Sequence, residues 1–380
     1  MSQEIEARKQ ILQDCHRLVI KAGTRLVVSQ ESIAELVRQI AGLKQTGCQV
    51  ILVSSGAVGM GMRTVGLKKR PHHLSKIQAL AAVGQARLMG LYEEECAKHG
   101  FYASQLLLTA DDMRVRERHL NTMNCIEALL QDGILPIINE NDPISANELM
   151  KFGDNDSLAA HLGSMCRADL TIILTTVDGL YQVKEDGGFG ERISVVHGMT
   201  QELKKNAKGT DDSSMSIGGM SSKLKAAELL NSAGDALWIA DGNMPNILER
   251  ILNAEDVGTL FLPQHSNPHK LDSKKRWLAA EARTCGFLYV DDGAAQAMRK
   301  YGASLLPSGL ISAEGDFGRG DVVGIIQSST GELFARGTSN FNREDTLKIS
   351  RHRTDELFRI LGYDSEEEVV HRNNLVIIPS

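Results

Sequence analysis

Short apolar runs alternate with longer amphipathic stretches over about the first 260 residues of the chain. The runs are almost continuously apolar, as in strands that are buried on both faces. They predict strands at Arg17–Ile20, Gln49–Val53, Ala103–Leu108, Leu135–Ile138, Leu170–Leu174 and Ala236–Ala240. The stretches predict helices at Glu4–Leu12, Glu31–Gln45, Lys76–His99, Arg114–Gln131, Asp156–Met165 and Gly219–Ala233. This alternation predicts an α/β fold with a mainly parallel sheet covered by helices on both faces.

The rhythm changes after Pro263–Lys275, a polar stretch with two prolines that predicts a linker. Beyond it, short strand-like runs are separated by glycine-rich turns, which favours a small, mostly β barrel. These runs are Phe287–Val290, Asp321–Ile326, Leu333–Gly337 and Leu375–Ile378. We therefore expect an N-terminal extension at 1–14, an α/β domain at 15–262, a linker at 263–284 and a β domain at 285–380.

Charge and composition exclude several classes of partner. The chain has 380 residues and a net charge of −6, and residues 285–380 carry ten Lys and Arg against fourteen Asp and Glu. This acidic balance does not suit nucleic-acid binding. No apolar run approaches the roughly 20 residues of a membrane span, and residues 1–13 lack the apolar core of a secretion signal. We expect a cytoplasmic protein without a membrane or nucleic-acid partner.

The cysteines and histidines predict no metal site. The six cysteines are scattered, without a C-x-x-C pair, and the eleven histidines include no H-E-x-x-H spacing. Reduced, structural thiols are therefore expected, and a protein-caged zinc ion is not.

Ligand-binding residues are expected in the loops that follow the strands, because ligands of parallel sheets bind beyond the C-terminal strand ends. The first strand ends in Lys21-Ala22-Gly23-Thr24, which places an ammonium group beside free backbone N–H groups and suits a phosphate. A surface lysine before a turn is the simpler interpretation of that loop taken alone. The second strand ends in Ser54-Ser55-Gly56-Ala57-Val58-Gly59-Met60-Gly61. We do not expect a dinucleotide loop there, since two serines precede the first glycine, no suitable helix is predicted at once, and no acidic residue stands about 20 residues on after a second strand.

Three further loops combine polar groups in unusual density. Asn139-Glu140-Asn141-Asp142 directly follows an apolar strand and offers acceptors for an ammonium group, although a simple turn has the same composition. Gly153-Asp154-Asn155-Asp156-Ser157 precedes a helix, and helix capping explains only part of it. Ile217-Gly218-Gly219-Met220-Ser221-Ser222-Lys223 opens a helix and suits an anion, but it lacks the spacing of a Walker A motif.

Taken in order, these five loops resemble those of the glutamate 5-kinase family within the amino-acid kinase superfamily. The resemblance extends from about Arg17 to Ile378. It implies a three-layer α/β/α sandwich of the amino-acid kinase type, followed by a small, mostly β PUA barrel that begins near Asp291-Asp292-Gly293-Ala294 and includes Ser304-Leu305-Leu306-Pro307-Ser308-Gly309. It also implies ATP-dependent phosphorylation of the side-chain carboxylate of L-glutamate, with Mg²⁺, as the first step of proline biosynthesis.

The resemblance assigns a role to each matched position. Lys21 would bind the nucleotide phosphates, Lys223 would stabilise the transferring phosphoryl group, and Asp156 would orient these two catalytic lysines. Ser55, Asp142 and Asn155 would bind glutamate. The remaining ATP-binding positions would be Thr175, Thr176, Ile217, Gly218, Gly219, Met220, Ser221 and Ser222. Inhibition by proline and a homo-oligomer, a dimer or tetramer, would follow from the same resemblance.

The chain departs from the family pattern near the nucleotide. Thr175-Thr176 stands where most members have Thr-Asp, Ser216-Ile217 where many have Gly-Thr, and Arg25 where a small polar residue is usual. These differences bear on nucleotide affinity and base preference more than on the reaction.

The chemistry agrees with these residue types. A glutamate side chain has a pKa of about 4.3, so its carboxylate is already a nucleophile at neutral pH and requires no general base. The alternatives are a related kinase that acts on aspartate, acetylglutamate or a nucleoside monophosphate, an inactive regulatory homologue, and an RNA-binding role for the C-terminal domain. The asparagine and aspartate residues at 141–142 and 154–156 favour a free amino acid as the acceptor, and the PUA-like C-terminal part favours the glutamate 5-kinase family.

Overall fold

The structure, a computed structural model, describes residues 2–144, 155–183, 188–198, 219–263, 278 and 282–378. The chain divides into two compact units, Met1–Pro268 and His269–Ser380. The first unit contains a large, mostly parallel sheet with helices, and the second contains a separate small β sheet. The predicted fold class is confirmed.

Among the described residues, the first unit has an eight-stranded sheet with the strand order β3-β4-β2-β1-β5-β9-β10-β8. Its strands are β1 (Arg17–Ala22), β2 (Gln49–Ser54), β3 (Ala103–Leu108), β4 (Leu135–Glu140), β5 (Leu170–Thr175), β8 (Val195–His197), β9 (Leu237–Asp241) and β10 (Thr259–Leu262). The strands from β3 to β9 in this order are parallel, whereas β10 is antiparallel to β9 and parallel to β8. The strands β6 (Leu180–Val183) and β7 (Phe189–Ile193) pair as a separate hairpin.

Helices cover both faces of this sheet. They are α1 (Ser2–Leu12), α2 (Gln30–Gln45), α3 (Ala57–Thr64), α4 (Leu74–Lys98), α5 (Ala110–Arg114), α6 (Arg116–Gln131), α7 (Asn155–Met165), α8 (Met220–Ala233) and α9 (Ile247–Leu252). Because successive side chains of a strand point to opposite faces, the apolar run of β1 contributes to two cores. Val19 packs with Ile126 of α6 and Leu158 of α7, whereas Ile20 packs with Ile33 of α2.

Helix α3 corrects the sequence analysis, which expected no suitable helix directly after the second strand. Ala57–Thr64 is helical and begins after Gly56, which has a φ of 98°. Glycine at two helical positions lowers the local helix propensity, and this hid the element. At Gly61 the absence of a side chain has a packing reason, because a Cβ atom there would overlap the carbonyl of Leu80 in α4. Tertiary packing therefore outweighs the local preference.

Two further parts of the first unit differ in detail from the prediction. The helix predicted at Arg114–Gln131 corresponds to α6, which begins two residues later at Arg116. Arg114 ends the separate short helix α5, and the backbone at Val115 between the two helices is extended, with φ −82° and ψ 117°. The described residues 188–198 contain β7 and β8, for which the sequence analysis predicted no strands.

The second unit has, within its described part, a five-stranded sheet with the order β12-β11-β13-β14-β15. Its elements are β11 (Gly286–Val290), α10 (Asp292–Tyr301), β12 (Leu310–Gly315), β13 (Val322–Gln327), β14 (Glu332–Thr338), α11 (Arg343–Ile349), α12 (Leu357–Leu361) and β15 (Leu375–Ile377). Strand β12 and the helices had no counterpart in the sequence analysis. Leu278 and Ala282, within the stretch assigned to a linker, are buried against Val322 and Val376. Residues 264–277 and 279–281 of that stretch lie outside the described ranges.

The contact between α3 and α4 leads to a first prediction. A Cβ atom at Gly84 of α4 would overlap the carbonyl oxygen of Ala57 and the backbone nitrogen of Gly61. Backbone atoms cannot move aside as side chains do, so we expect Gly84→Ala to lower the free energy of unfolding by about 2 kcal/mol or more. Urea denaturation measures this change.

The matched control is Gly90→Ala in the same helix, where a Cβ atom would meet nothing within 4 Å. Its helix propensity should raise the stability by up to about 1 kcal/mol. Equal effects of the two substitutions would contradict the proposed packing constraint.

Candidate active site

The predicted site residues that the structure describes in the first unit collect at one edge of its sheet. Lys21 is the penultimate residue of β1, Ser55 directly follows β2, and Thr175 is the last residue of β5. Strand β1 is parallel to both β2 and β5, so these positions lie at the same, C-terminal edge. The chain passes from β4 on one side of β1 to β5 on the other, and such a switch of strand order opens a crevice for ligands.

A buried carboxylate joins two ammonium groups at this edge. Asp156, the second residue of α7, is 1% exposed. Its Oδ1 lies 2.6 Å from Nζ of Lys21, and its Oδ2 lies 3.0 Å from Nζ of Lys223 in α8. The structure therefore brings together Lys21, Asp156 and Lys223, which come from a strand and two different helices.

The electrostatics of this cluster favour its ionised form. Burial acts to raise the pKa of Asp156, but the neighbouring ammonium groups of Lys21 and Lys223 outweigh it and hold the pKa below its ordinary value. Asp156 is therefore a carboxylate at neutral pH, and its charge compensates much of the positive charge around it. The cluster carries one net positive charge, which suits an anionic ligand.

The N-terminus of α8 adjoins the cluster. Gly219 precedes the helix, and Oγ of Ser222 donates to Oδ2 of Asp156 at 2.9 Å. Backbone N–H groups in the first turn of a helix have no partner within the helix and attract anions. Gly219, Met220, Ser221 and Ser222 are described in this turn, whereas the other predicted ATP-binding residues of the loop, Ile217 and Gly218, lie outside the described residues.

A second polar group surrounds Asn155, the first residue of α7. Its Nδ2 lies 2.9 Å from the carbonyl oxygen of Ser54, 2.9 Å from Oγ of Ser55 and 3.0 Å from Oδ1 of Asn139. Asn155 and Asp156 are adjacent residues of α7, so this group lies next to the lysine cluster. Two predicted substrate-binding residues, Ser55 and Asn155, are thus in direct contact.

The remaining predicted residues lie at the same edge but outside these two groups. Asp142 is half-buried, two residues beyond the end of β4. Thr176 follows β5, and its Oγ1 accepts a hydrogen bond from Nη1 of Arg25 at 3.4 Å. Two of the positions that depart from the family pattern, Arg25 and Thr176, are therefore neighbours.

Two buried side chains escaped the sequence analysis. Gln85 and Tyr92 of α4 bond Asn139 and Ser54 respectively, each at 2.9 Å. A polar residue within an apolar helical face, as at Gln85, was the available signal. It did not identify the partner, because the contact spans 54 residues of sequence.

Within the described ranges, no group of three or more His, Cys, Asp or Glu side chains is arranged to hold a metal ion. Both oxygens of Asp156, the carboxylate of the cluster, lie within 3.0 Å of lysine ammonium groups.

Models of two protein families match separate parts of the chain. Residues 16–241 match the model of the amino acid kinase family, and residues 286–361 match that of the PUA domain. The chain belongs to the amino acid kinase family.

Its relatives define the branch within that family. A protein named glutamate 5-kinase from Thermoanaerobacter sp. is 42% identical over 370 residues, which cover 95% of this chain and 98% of the relative. Glutamate 5-kinase from Methylococcus capsulatus is 41% identical over 367 residues, 95% and 97% of the two chains. The resemblance to glutamate 5-kinases that the sequence analysis identified is confirmed.

A solved structure of a carbamate kinase from Giardia is a distant neighbour. It is 14% identical with a TM-score of 0.48, and the match covers 66% of this chain and 99% of the other. A likeness at this level does not bear on function. In the described parts of the chain, no helix combines the length and the apolar character needed to cross a membrane.

Proposed function

We propose that this chain transfers the γ-phosphoryl group of ATP to the side-chain carboxylate of L-glutamate, giving L-glutamyl 5-phosphate in the first step of proline biosynthesis. The observation that carries the proposal is the Lys21–Asp156–Lys223 cluster directly beside the pair of Ser55 and Asn155. One group suits a polyphosphate and the other a small polar acceptor. The names of the relatives support the same reaction.

The reaction brings two anions together. A carboxylate oxygen of glutamate forms a bond to the γ-phosphorus, the bond from that phosphorus to the β,γ-bridging oxygen breaks, and ADP leaves with the electron pair. Lys21 binds the phosphates, and Lys223 and the first turn of α8 stabilise the charge on the transferring group. Asp156 holds both ammonium groups in place.

The substrates occupy opposite sides of the cluster. L-Glutamate binds at Ser55, Asp142 and Asn155. Ser55 follows β2, Asp142 follows β4, and Asn155 begins α7. Thr175, Thr176 and residues 219–223 bind ATP, together with Ile217 and Gly218 from outside the described ranges. We infer that Mg²⁺ enters as part of the Mg–ATP complex, in keeping with the lack of a carboxylate cage among the described residues.

The product identifies the reaction directly. An acyl phosphate reacts with hydroxylamine to give a hydroxamate, whereas a phosphorylated hydroxyl group does not. We expect hydroxamate to form from L-glutamate, ATP and Mg²⁺. The kcat/KM for L-aspartate, N-acetyl-L-glutamate and uridine monophosphate should be at least about a hundredfold lower than that for L-glutamate. The reaction with uridine monophosphate is measured by ADP release. A higher kcat/KM for any of these three acceptors would overturn the assignment of glutamate.

The absence of a required base gives a prediction for the pH dependence. The acceptor carboxylate ionises near pH 4.3, so turnover should not require removal of its proton at neutral pH. We expect kcat with L-glutamate to change less than about threefold between about pH 6.5 and 8.5. A steady-state profile at saturating ATP and Mg²⁺ tests this. A steep acidic limb with an apparent pKa near 7 would instead indicate an essential general base.

Three further properties belong to the same proposal. L-Proline shares the α-carboxylate and the ammonium group of glutamate, so it should inhibit at the glutamate site, and a proline titration at millimolar levels tests this. We propose a homo-oligomer of two or four chains, which light scattering measures. We also propose that the protein works in the cytoplasm, where fractionation should find it.

A further inference from the structure

A buried amide stands behind the acceptor side of the crevice. Gln85 of α4 is only 7% exposed, and its Oε1 accepts a hydrogen bond from Nδ2 of Asn139 at 2.9 Å. Leu88 and Leu91 of the same helix are buried in the apolar core. A polar side chain in such surroundings is costly unless it is hydrogen-bonded, so the bond to Asn139 is the reason that Gln85 is tolerated there.

The direction of this hydrogen bond is fixed by the backbone. The N–H group of Glu140 can only donate, and it donates to Oδ1 of Asn139 at 2.9 Å. Oδ1 of Asn139 is therefore the acceptor end of that amide, and Nδ2 must point to Gln85. Gln85 in turn must present its oxygen. An apolar side chain at position 85 would leave Nδ2 of Asn139 buried without this partner.

The orientation passes from Asn139 to Asn155. Oδ1 of Asn139 also accepts from Nδ2 of Asn155 at 3.0 Å. The same Nδ2 has the carbonyl oxygen of Ser54 and Oγ of Ser55 within 2.9 Å, so its two hydrogens are committed to protein acceptors. The group that Asn155 can offer to a ligand is its carbonyl oxygen, which accepts hydrogen bonds and does not donate them.

The chemistry of the acceptor molecule matches this polarity. L-Glutamate has one hydrogen-bond donor at neutral pH, its α-ammonium group, because both carboxylates only accept. A carbonyl oxygen in the crevice therefore recognises the ammonium end of the molecule. An amide turned the other way would present N–H groups to the ammonium group and repel it.

We propose that Gln85 is a positioning residue: it holds the Asn139 amide in the orientation that the N–H group of Glu140 dictates, and through Asn139 it steadies the Asn155 amide, so that the site selects acceptors with a free ammonium group. The inference rests on the proposed function, since it assigns selectivity to the same site. Gln85 acts through Asn139, without touching the acceptor itself.

The test compares Gln85→Met with Gln85→Glu. Methionine has nearly the same length but offers no comparable acceptor, whereas glutamate keeps an acceptor oxygen for Asn139. The acceptors are L-glutamate and glutarate, which lacks the ammonium group. We expect Gln85→Met to raise the KM for L-glutamate about tenfold with little change in kcat or in the KM for ATP, because a uniform binding interaction is lost. Gln85→Glu should stay within about threefold of the wild type in every constant.

The preference for L-glutamate over glutarate is the decisive readout. It should fall about tenfold in Gln85→Met and stay unchanged in Gln85→Glu. The ratio of kcat/KM for L-glutamate to kcat/KM for glutarate, measured on one preparation, does not depend on the fraction of folded protein. Partial unfolding of a variant therefore cannot produce the same result. The matched control is Gln78→Met, the same substitution one heptad earlier in α4 at a half-buried position.

An unchanged ratio in Gln85→Met, or an equal fall in Gln78→Met, would overturn the inference. Calorimetric binding of L-glutamate and glutarate separates this failure from failure of the proposed function. Wild-type protein that binds L-glutamate but forms no acyl phosphate contradicts the proposed function, and the binding ratio then judges the role of Gln85. Wild-type protein that does not discriminate between the two compounds contradicts the role of Gln85.

Discussion

Replacing Lys223 with alanine is expected to lower kcat by about a hundredfold or more while the KM for L-glutamate changes little. Lys223 is 4% exposed, and its ammonium group lies 3.0 Å from Asp156 at the start of α8. Loss of one positioned charge that stabilises a transition state costs about 3 kcal/mol of barrier. The substitution leaves Ser55 and Asn155, the residues proposed to bind glutamate, unchanged, so binding of the acceptor should survive. Steady-state kinetics with both substrates varied measures the two constants separately.

The control for Lys223 is two residues away. Lys225 lies on the same helix and is exposed, so Lys225→Ala removes an equal charge without reaching the cluster. Its kcat should stay within about twofold of the wild type, as expected for exposed charges. Wild-type turnover in Lys223→Ala would exclude that ammonium group from phosphoryl transfer.

Replacing Asp156 with asparagine, a side chain of nearly the same shape, is expected to lower the free energy of unfolding. The substitution leaves the ammonium groups of Lys21 and Lys223 buried near each other without their shared counter-ion. Removing one partner from a buried ion pair costs about 3–5 kcal/mol. Activity should fall as well, because neither ammonium group keeps its position. Urea denaturation and the hydroxamate assay measure the two effects.

The pH dependence of that stability difference follows from the ionisation of Asp156. Its pKa is lowered in the folded protein, so the stabilisation by its charge is present in full above the ordinary carboxyl pKa of about 3.9. It disappears as the pH falls through the folded-state value. The wild type and Asp156→Asn should therefore differ strongly at pH 7 and converge in acid. The exposed Asp14→Asn is the control, and a difference independent of pH would contradict the ionised state of Asp156.

The sequence predicted the parts of the fold that depend on local pattern. The central strands are continuous apolar runs, and the observed β1 and β5 extend the predicted ranges by only one or two residues. Since consecutive strands of this type are parallel, their ends and the helix starts were expected to meet at one edge. Lys21, Asp156 and Lys223 do meet there.

The parts that escaped prediction depend on contacts between distant segments. Helix α3 contains Gly61, whose lack of a side chain is explained only when α4 packs against it. Strands β8 and β10 are short and pair with each other only in the folded sheet. Gln85 resembles any other polar residue of a helix until Asn139 is placed beside it. Local propensity carries no information about these partners.

The ion cluster also bears on how the nucleotide is received. Without a counter-ion, the ammonium groups of Lys21 on β1 and Lys223 on α8 would repel each other and separate. A ligand would then have to bring them together as it bound, and that rearrangement would weaken its affinity. The carboxylate of α7 prevents this loss, because it keeps both ammonium groups at hydrogen-bonding distance before any phosphate arrives. The crevice is thus preorganised for a phosphate ligand. It need not close around the ligand to bring the two ammonium groups together.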